Sequence, residues 1–204
     1  MNTDQYLTLS GESTGEVRDK ASRFMAYAFP IQDEPAFRSR LAEIAADHHR
    51  ARHICFAWVL GTAGDRFRAY DAGEPTGSAG RPILRQLQGA GLTNCAIVVV
   101  RYFGGTLLGK AGLAHAFAAA AKEALAHNAT VQLTLLAKAA VDCSYNLVEE
   151  VKKQVAASGG VVEHSEYAGQ CHLIVAVPRR MVGDLVANWN AAGATARPLP
   201  GSPA

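Results

Sequence analysis

Residues 71–82 read Asp71-Ala72-Gly73-Glu74-Pro75-Thr76-Gly77-Ser78-Ala79-Gly80-Arg81-Pro82, and the layout of the chain turns on them. Glycine at 73, 77 and 80 and proline at 75 and 82 break both helical and strand periodicity, so the stretch is a loop with special backbone geometry. It lies between a strand-like segment ending at Arg66–Tyr70 and a short helix. In that helix Pro82 sits near the first turn, Ile83, Leu84 and Leu87 form the apolar side, and Gly89 and Gly91 act as stops. A glycine loop running into a helix start points several amides one way at the positive end of the helix dipole. That suits a phosphate or carboxylate, with Arg81 as countercharge. The same pattern also serves as a tight connection in which Ser78 or Thr76 caps the helix.

Working outward, residues 94–101 are a β-branched apolar run, expected of a strand covered on at least one face. A second glycine loop follows, Gly104-Gly105-Thr106-Leu107-Leu108-Gly109-Lys110, and feeds an Ala-rich helix over 113–127. Its spacing is formally that of a nucleotide-binding phosphate loop. Ala111 stands where a magnesium-holding hydroxyl is required, and no second strand ends in a suitable acid, so the match reads as coincidence. Leu107 and Leu108 suggest a loop that buries apolar side chains.

Upstream, residues 1–14 are polar and expected to fray. Residues 16–31 read as one strand with Phe24, Ala26, Ala28 and Pro30 on one face. Asp33-Glu34-Pro35 starts a helix that packs Phe37, Leu41, Ile44 and Ala45 and ends near His48 or His49. Residues 53–60 form a further strand. After Asn128 the pattern restarts as strand (131–145), helix (146–158), two strands (160–167 and 170–177), helix (178–190) and a short final strand before Pro198. This βαββα(β) order suits a ferredoxin-like half-open sandwich. The expected architecture is therefore α+β in two domains, 1–130 and 131–204.

Composition fits a globular protein with a real core: 49% of the 204 residues are hydrophobic and 19% charged. Cys55, Cys95, Cys143 and Cys171 are widely spaced without a C-x-x-C pair and read as buried reduced thiols. With no secretory signal and no apolar run long enough to span a bilayer, the expected location is cytoplasmic. Net charge is +2; residues 1–128 carry 14 basic and 12 acidic side chains and 129–204 six of each, so only a local basic face would bind nucleic acid.

Chemistry-bearing clusters are sparse. His48, His49, His53 and Cys55 match no defined zinc spacing, and no metal or cofactor is expected. Asp71 and Glu74 could work as paired carboxylates, or anchor backbone amides within their loop. In Arg101-Tyr102-Phe103, arginine beside aromatics could stack bases, or Phe103 could be core and Tyr102 a rim residue.

The combination of segments resembles the IMPACT/YigZ family. Residues 16–31, Ala51-Arg52-His53-Ile54-Cys55-Phe56-Ala57, DAGEPTGSAGRPIL and VVVRYFGGTLLGKAGLAHAF follow its order and spacing, strongly over 15–128 and weakly over 133–198. Ala72 replaces the family's usual second Asp and Ala111 a usual Gly, and Lys110 is atypical. The resemblance implies an N-terminal fold similar to the second domain of a small-subunit ribosomal protein, and a ferredoxin-like domain similar to one in elongation factor G. It also implies a link to translational control, with RNA, ribosome or a translation-related protein as partner.

On this reading the two glycine loops meet in one recognition face of a non-catalytic binding protein. Arg81 and Arg101 supply charge-assisted contacts, Tyr102 a stacking surface, and Gly77, Gly80, Gly104 and Gly105 close backbone approach. Arg52, His53, Asp71, Glu74 and Lys110 complete it. Two other readings stand beside it: a hydrolase or transferase for an anionic substrate with Glu74 or Asp71 as base, and a protein–protein adaptor marked by an exposed apolar patch.

Overall fold

The structure, a computed structural model, describes residues 4–200. In chain order the elements of its first part are β1 (Gln5–Leu9), β2 (Ser13–Asp19), β3 (Ser22–Pro30), α1 (Glu34–Asp47), β4 (His53–Leu60), β5 (Arg66–Tyr70), α2 (Gly80–Gly89), β6 (Cys95–Tyr102) and α3 (Gly109–Ala126). There follow β7 (Thr130–Thr134), β8 (Leu136–Cys143), α4 (Tyr145–Ala157), β9 (Val161–Ala168), β10 (Gln170–Pro178), a single 3-10 turn (Arg179–Met181), α5 (Val182–Ala191) and β11 (Thr195–Pro198). These mixed helices and strands form two compact units, one of Tyr6–Leu133 and the other of residues 4–5 with 134–200.

In the larger unit a five-stranded antiparallel sheet runs β2-β3-β6-β4-β5. Successive side chains of a strand alternate between faces, so the two faces carry different cores. Phe24, Ala26 and Ala28 of β3 pack with Ile97 and Val99 of β6 and with Ile83, Leu87, Phe117 and Ala120 of α2 and α3. Phe24 meets Phe117 edge to face, with ring centroids 5.1 Å apart. On the other face Phe29, Phe56, Trp58, Val98 and Val100 receive Phe37 and Ile44 of α1. The run 94–101 is thus covered on both faces, which explains its unbroken apolar character. Asp33 caps α1 by accepting from the Ala36 amide at 2.8 Å.

The smaller unit orders its strands β11-β8-β10-β9, all antiparallel, with α4 and α5 packing Val148, Val151, Leu185 and Trp189 onto one face. Its βαββαβ succession is the one read from the sequence.

Three expectations are corrected. Residues 16–31 do not form one strand. They straddle a hairpin that turns at Lys20 and Ala21, both at positive φ, and Pro30 is exposed at its end. The segment 1–14 does not simply fray: its described part contains β1, paired with β7, and the start of β2. Residues 131–145 are two strands, because β7 pairs with β1 while β8 enters the four-stranded sheet.

Candidate functional site: a cation-lined hollow between two glycine loops

β5 ends at Tyr70, and Asp71 turns its carboxylate back into the loop that follows. One oxygen accepts from the Gly77 amide at 2.8 Å; the other accepts from Ala79 at 3.0 Å and Gly80 at 2.8 Å. Burial alone would raise the Asp71 pKa, but the three amides and the nearby Lys110 charge outweigh it and hold the carboxyl below its usual range. The Gly80 amide that opens α2 and the Ala79 amide before it, which the sequence offered to an outside anion, are therefore already satisfied from within. Neither Ser78 nor Thr76 caps the helix: the Ser78 hydroxyl donates to the Pro75 carbonyl at 2.6 Å, and Asp71 takes the capping role. Around the loop base, His53 Nδ1 donates to the Ala72 carbonyl at 3.0 Å and the Cys55 thiol donates to the Asp71 carbonyl at 3.1 Å. Burial pushes the Cys55 thiol far above its ordinary range, and Cys95 up to about 12. All four cysteines are free and buried.

Glu74 is also committed. Its two carboxylate oxygens lie 2.7 and 2.9 Å from Arg101 Nη1, and the side chains are only 3% and 6% exposed. His53 Nδ1 is 3.8 Å from the same carboxylate. The Arg101 guanidinium sits over the rings of Phe24 and Phe103, 5.6 and 5.4 Å from their centroids. Burying both charges costs several kcal/mol each, which their mutual attraction offsets only while both are present. Arg101 thus ties the first loop to the strand that starts the second, and its charge is not free for a phosphate. Phe103 is half exposed rather than core, and Leu107 is 83% exposed rather than inserted.

Tyr102, next in β6, faces the opposite side of the sheet. Its hydroxyl lies 2.8 Å from His48 Nδ1, whose Nε2 is 2.6 Å from the Tyr27 hydroxyl. Burial lowers the His48 pKa and so favours the neutral ring in this bridge between α1 and the sheet. A stacking role for Tyr102 beside Arg81 is therefore set aside.

Several of the glycines serve close packing or a special backbone angle. A Cβ on Gly80 would stand 2.4 Å from the Tyr70 backbone nitrogen, and one on Gly104 would stand 2.1 Å from the Ala21 carbonyl carbon. Gly77 and Gly105 lie at φ +76° and +86°. Gly104 also donates its N–H to Ser22 Oγ at 3.1 Å.

The two stretches nevertheless meet, though the second contributes only Lys110, which lies in the first turn of α3. Ala69, Asp71, Thr76, Gly77, Arg81, Arg85 and Lys110 line a hollow of about 580 Å³. Arg81, Arg85 and Lys110 form no ion pair among the described residues, so three cations face one carboxylate already held by amides. Arg85 escaped the sequence reading although it lies four residues after Arg81 on one helix face, a spacing that signals proximity. Arg52 is exposed just before β4 and does not line the hollow.

A two-unit α/β protein with an internally braced pair of glycine loops and a cationic hollow is the class these features define. The Impact N-terminal domain profile matches residues 20–125. The chain is 34% identical over 170 residues to the IMPACT family member YigZ of Escherichia coli, covering 82% of this chain and 83% of that one. It is 32% identical over 183 residues to an IMPACT family member of Haemophilus influenzae, covering 87% of each. A crystal structure of a protein described only as hypothetical superimposes with a TM-score of 0.70 at 31% identity over 93% of each chain. The chain belongs to the IMPACT family.

Proposed function

We propose that this protein is a non-catalytic binding module of the translation machinery, taking the phosphates of RNA, free or within the ribosome, on the hollow between its glycine loops. The observation that carries the reading is the set Arg81, Arg85 and Lys110: three exposed cations lining one hollow without ion-pair partners among the described residues. A protein gains nothing in stability from such an arrangement, since like charges repel, whereas phosphate oxygens would bridge them. The rigid loop bases, braced by Asp71 and by the Glu74–Arg101 pair, hold the cations in place before binding and reduce the ordering cost. The four-stranded sheet order of the smaller unit is compatible with a ferredoxin-like domain, and the larger unit with kinship to a small-subunit ribosomal protein domain. Both kinships would place the protein among translation components.

The hydrolase reading is weaker on the same geometry. A general base needs a free lone pair and a pKa near the working pH. Asp71 spends its oxygens on three amides and is pushed the wrong way, and Glu74 is sealed against Arg101.

The test is direct titration of the full chain with purified ribosomal subunits and with protein-free RNA, for wild type and for Arg81→Glu/Lys110→Glu. Binding that falls at least tenfold in the variant is the expected result. Equal binding by both proteins would sink the assignment of the hollow, and no binding by either would sink the function.

A further inference from the structure

The strand beside the hollow carries near its start an exposed aromatic side chain, Phe67, that the cationic reading leaves unused. β5 is the outer strand of its sheet and reads Arg66-Phe67-Arg68-Ala69-Tyr70. Register assigns its faces: Phe67 lies opposite Val59 and Ala69 opposite Ala57, and both partners belong to the core beneath α2 and α3. Phe67 and Ala69 therefore share one face, two residues or roughly 7 Å apart. Ala69 lines the hollow. Phe67 is 54% exposed, whereas Phe24 and Phe117 in the core of that face are fully buried. A flat apolar ring thus stands open two positions along β5 from Ala69, which lines the hollow together with three cations that form no ion pair among the described residues.

Resting on the function proposed above, we infer that the ligand is single-stranded nucleic acid, with a base stacked on Phe67 and the adjoining phosphates on Arg81, Arg85 and Lys110. Charge complementarity selects a polyanion, and the ring selects among polyanions. A duplex keeps its base faces inside the stack and would leave Phe67 without a partner, while an unpaired strand can splay a base onto it. An acidic peptide would satisfy the cations and make no use of a flat ring. The edge position suits the arrangement, because no strand among the described residues pairs with β5 on its outer side.

The experiment is fluorescence anisotropy with the full chain at low salt. Three probes of about 12 units are compared: a mixed-sequence single-stranded RNA, its abasic counterpart and an oligoglutamate, within the usual site size for such binding. Base stacking predicts that the abasic strand binds at least fivefold more weakly than the RNA. It also predicts that Phe67→Ala weakens RNA binding by a similar factor while leaving abasic binding unchanged, and that Phe67→Trp restores RNA binding. Equal affinity for intact and abasic strands, or an oligoglutamate binding as tightly as RNA, overturns the inference while leaving a phosphate- or anion-binding hollow in place. If none of the three probes binds, the inference fails, and the titration with ribosomal subunits and protein-free RNA decides the function separately.

Discussion

Arg101 and the trio Arg81, Arg85 and Lys110 are cations of the same unit, yet their surroundings give them opposite work. Arg101 is 6% exposed, gripped by Glu74 and set over two aromatic rings. The trio is exposed and has no ion-pair partner among the described residues. A buried, compensated charge fixes the geometry of the loops; an exposed, uncompensated one is available to a ligand. The contrast teaches that cationic residues in a family's signature segments need not all be binding residues, and that stability and affinity should separate cleanly on substitution.

The largest effect expected is from Glu74→Ala, which strands the Arg101 charge in the core. Unfolding free energy should drop by about 3–5 kcal/mol in a denaturant titration. Next is Gly80→Ala, whose Cβ would stand 2.4 Å from the Tyr70 backbone nitrogen; the same measurement should show a loss of about 1–3 kcal/mol. By contrast, Arg81→Glu/Lys110→Glu should change stability by no more than about 0.5 kcal/mol, as surface substitutions do. A large loss there would erase the distinction between the two regions.

Smaller effects sharpen the picture at the margins. Burial holds the His48 pKa below its usual value, so the unfolded chain takes up a proton more readily than the folded one. The contribution of this bridge is present above about pH 6.5 and is lost as pH falls through that value toward the lower folded pKa. Stability compared at about pH 8 and about pH 5.5 should fall less for His48→Gln than for wild type. The smallest change is at Ala72, held at φ +47°. Relieving that conformation with Ala72→Gly should raise stability by about 0.5 kcal/mol, net of the entropy glycine adds to the unfolded chain.

How much of this could be read beforehand depends on which signals are local. The helix starts, the β-branched strand at 94–101 and the βαββαβ order announce themselves through periodicity and breakers. The hairpin at Lys20–Ala21 did not, because the turn is made by two residues that carry no turn signature yet adopt positive φ. β1 was invisible because its partner β7 lies more than a hundred residues away. Within the site, the loops and Arg81 were legible, and the commitment of their charges was not. That Asp71 would reach back to three amides, or that Glu74 would close on Arg101, depends on how the loop folds over the sheet. The separation of Arg101 from Tyr102 was available in principle, since neighbours on a strand face opposite sides.

The measurement that most directly tests the account is the salt dependence of single-stranded RNA binding, for wild type and for Arg81→Glu/Lys110→Glu. Three phosphate contacts predict a slope of log affinity against log salt of about −2 for wild type, flattening toward −0.7 or less when two of the cations are reversed. A wild-type affinity indifferent to salt, or a slope the substitutions leave untouched, would contradict it.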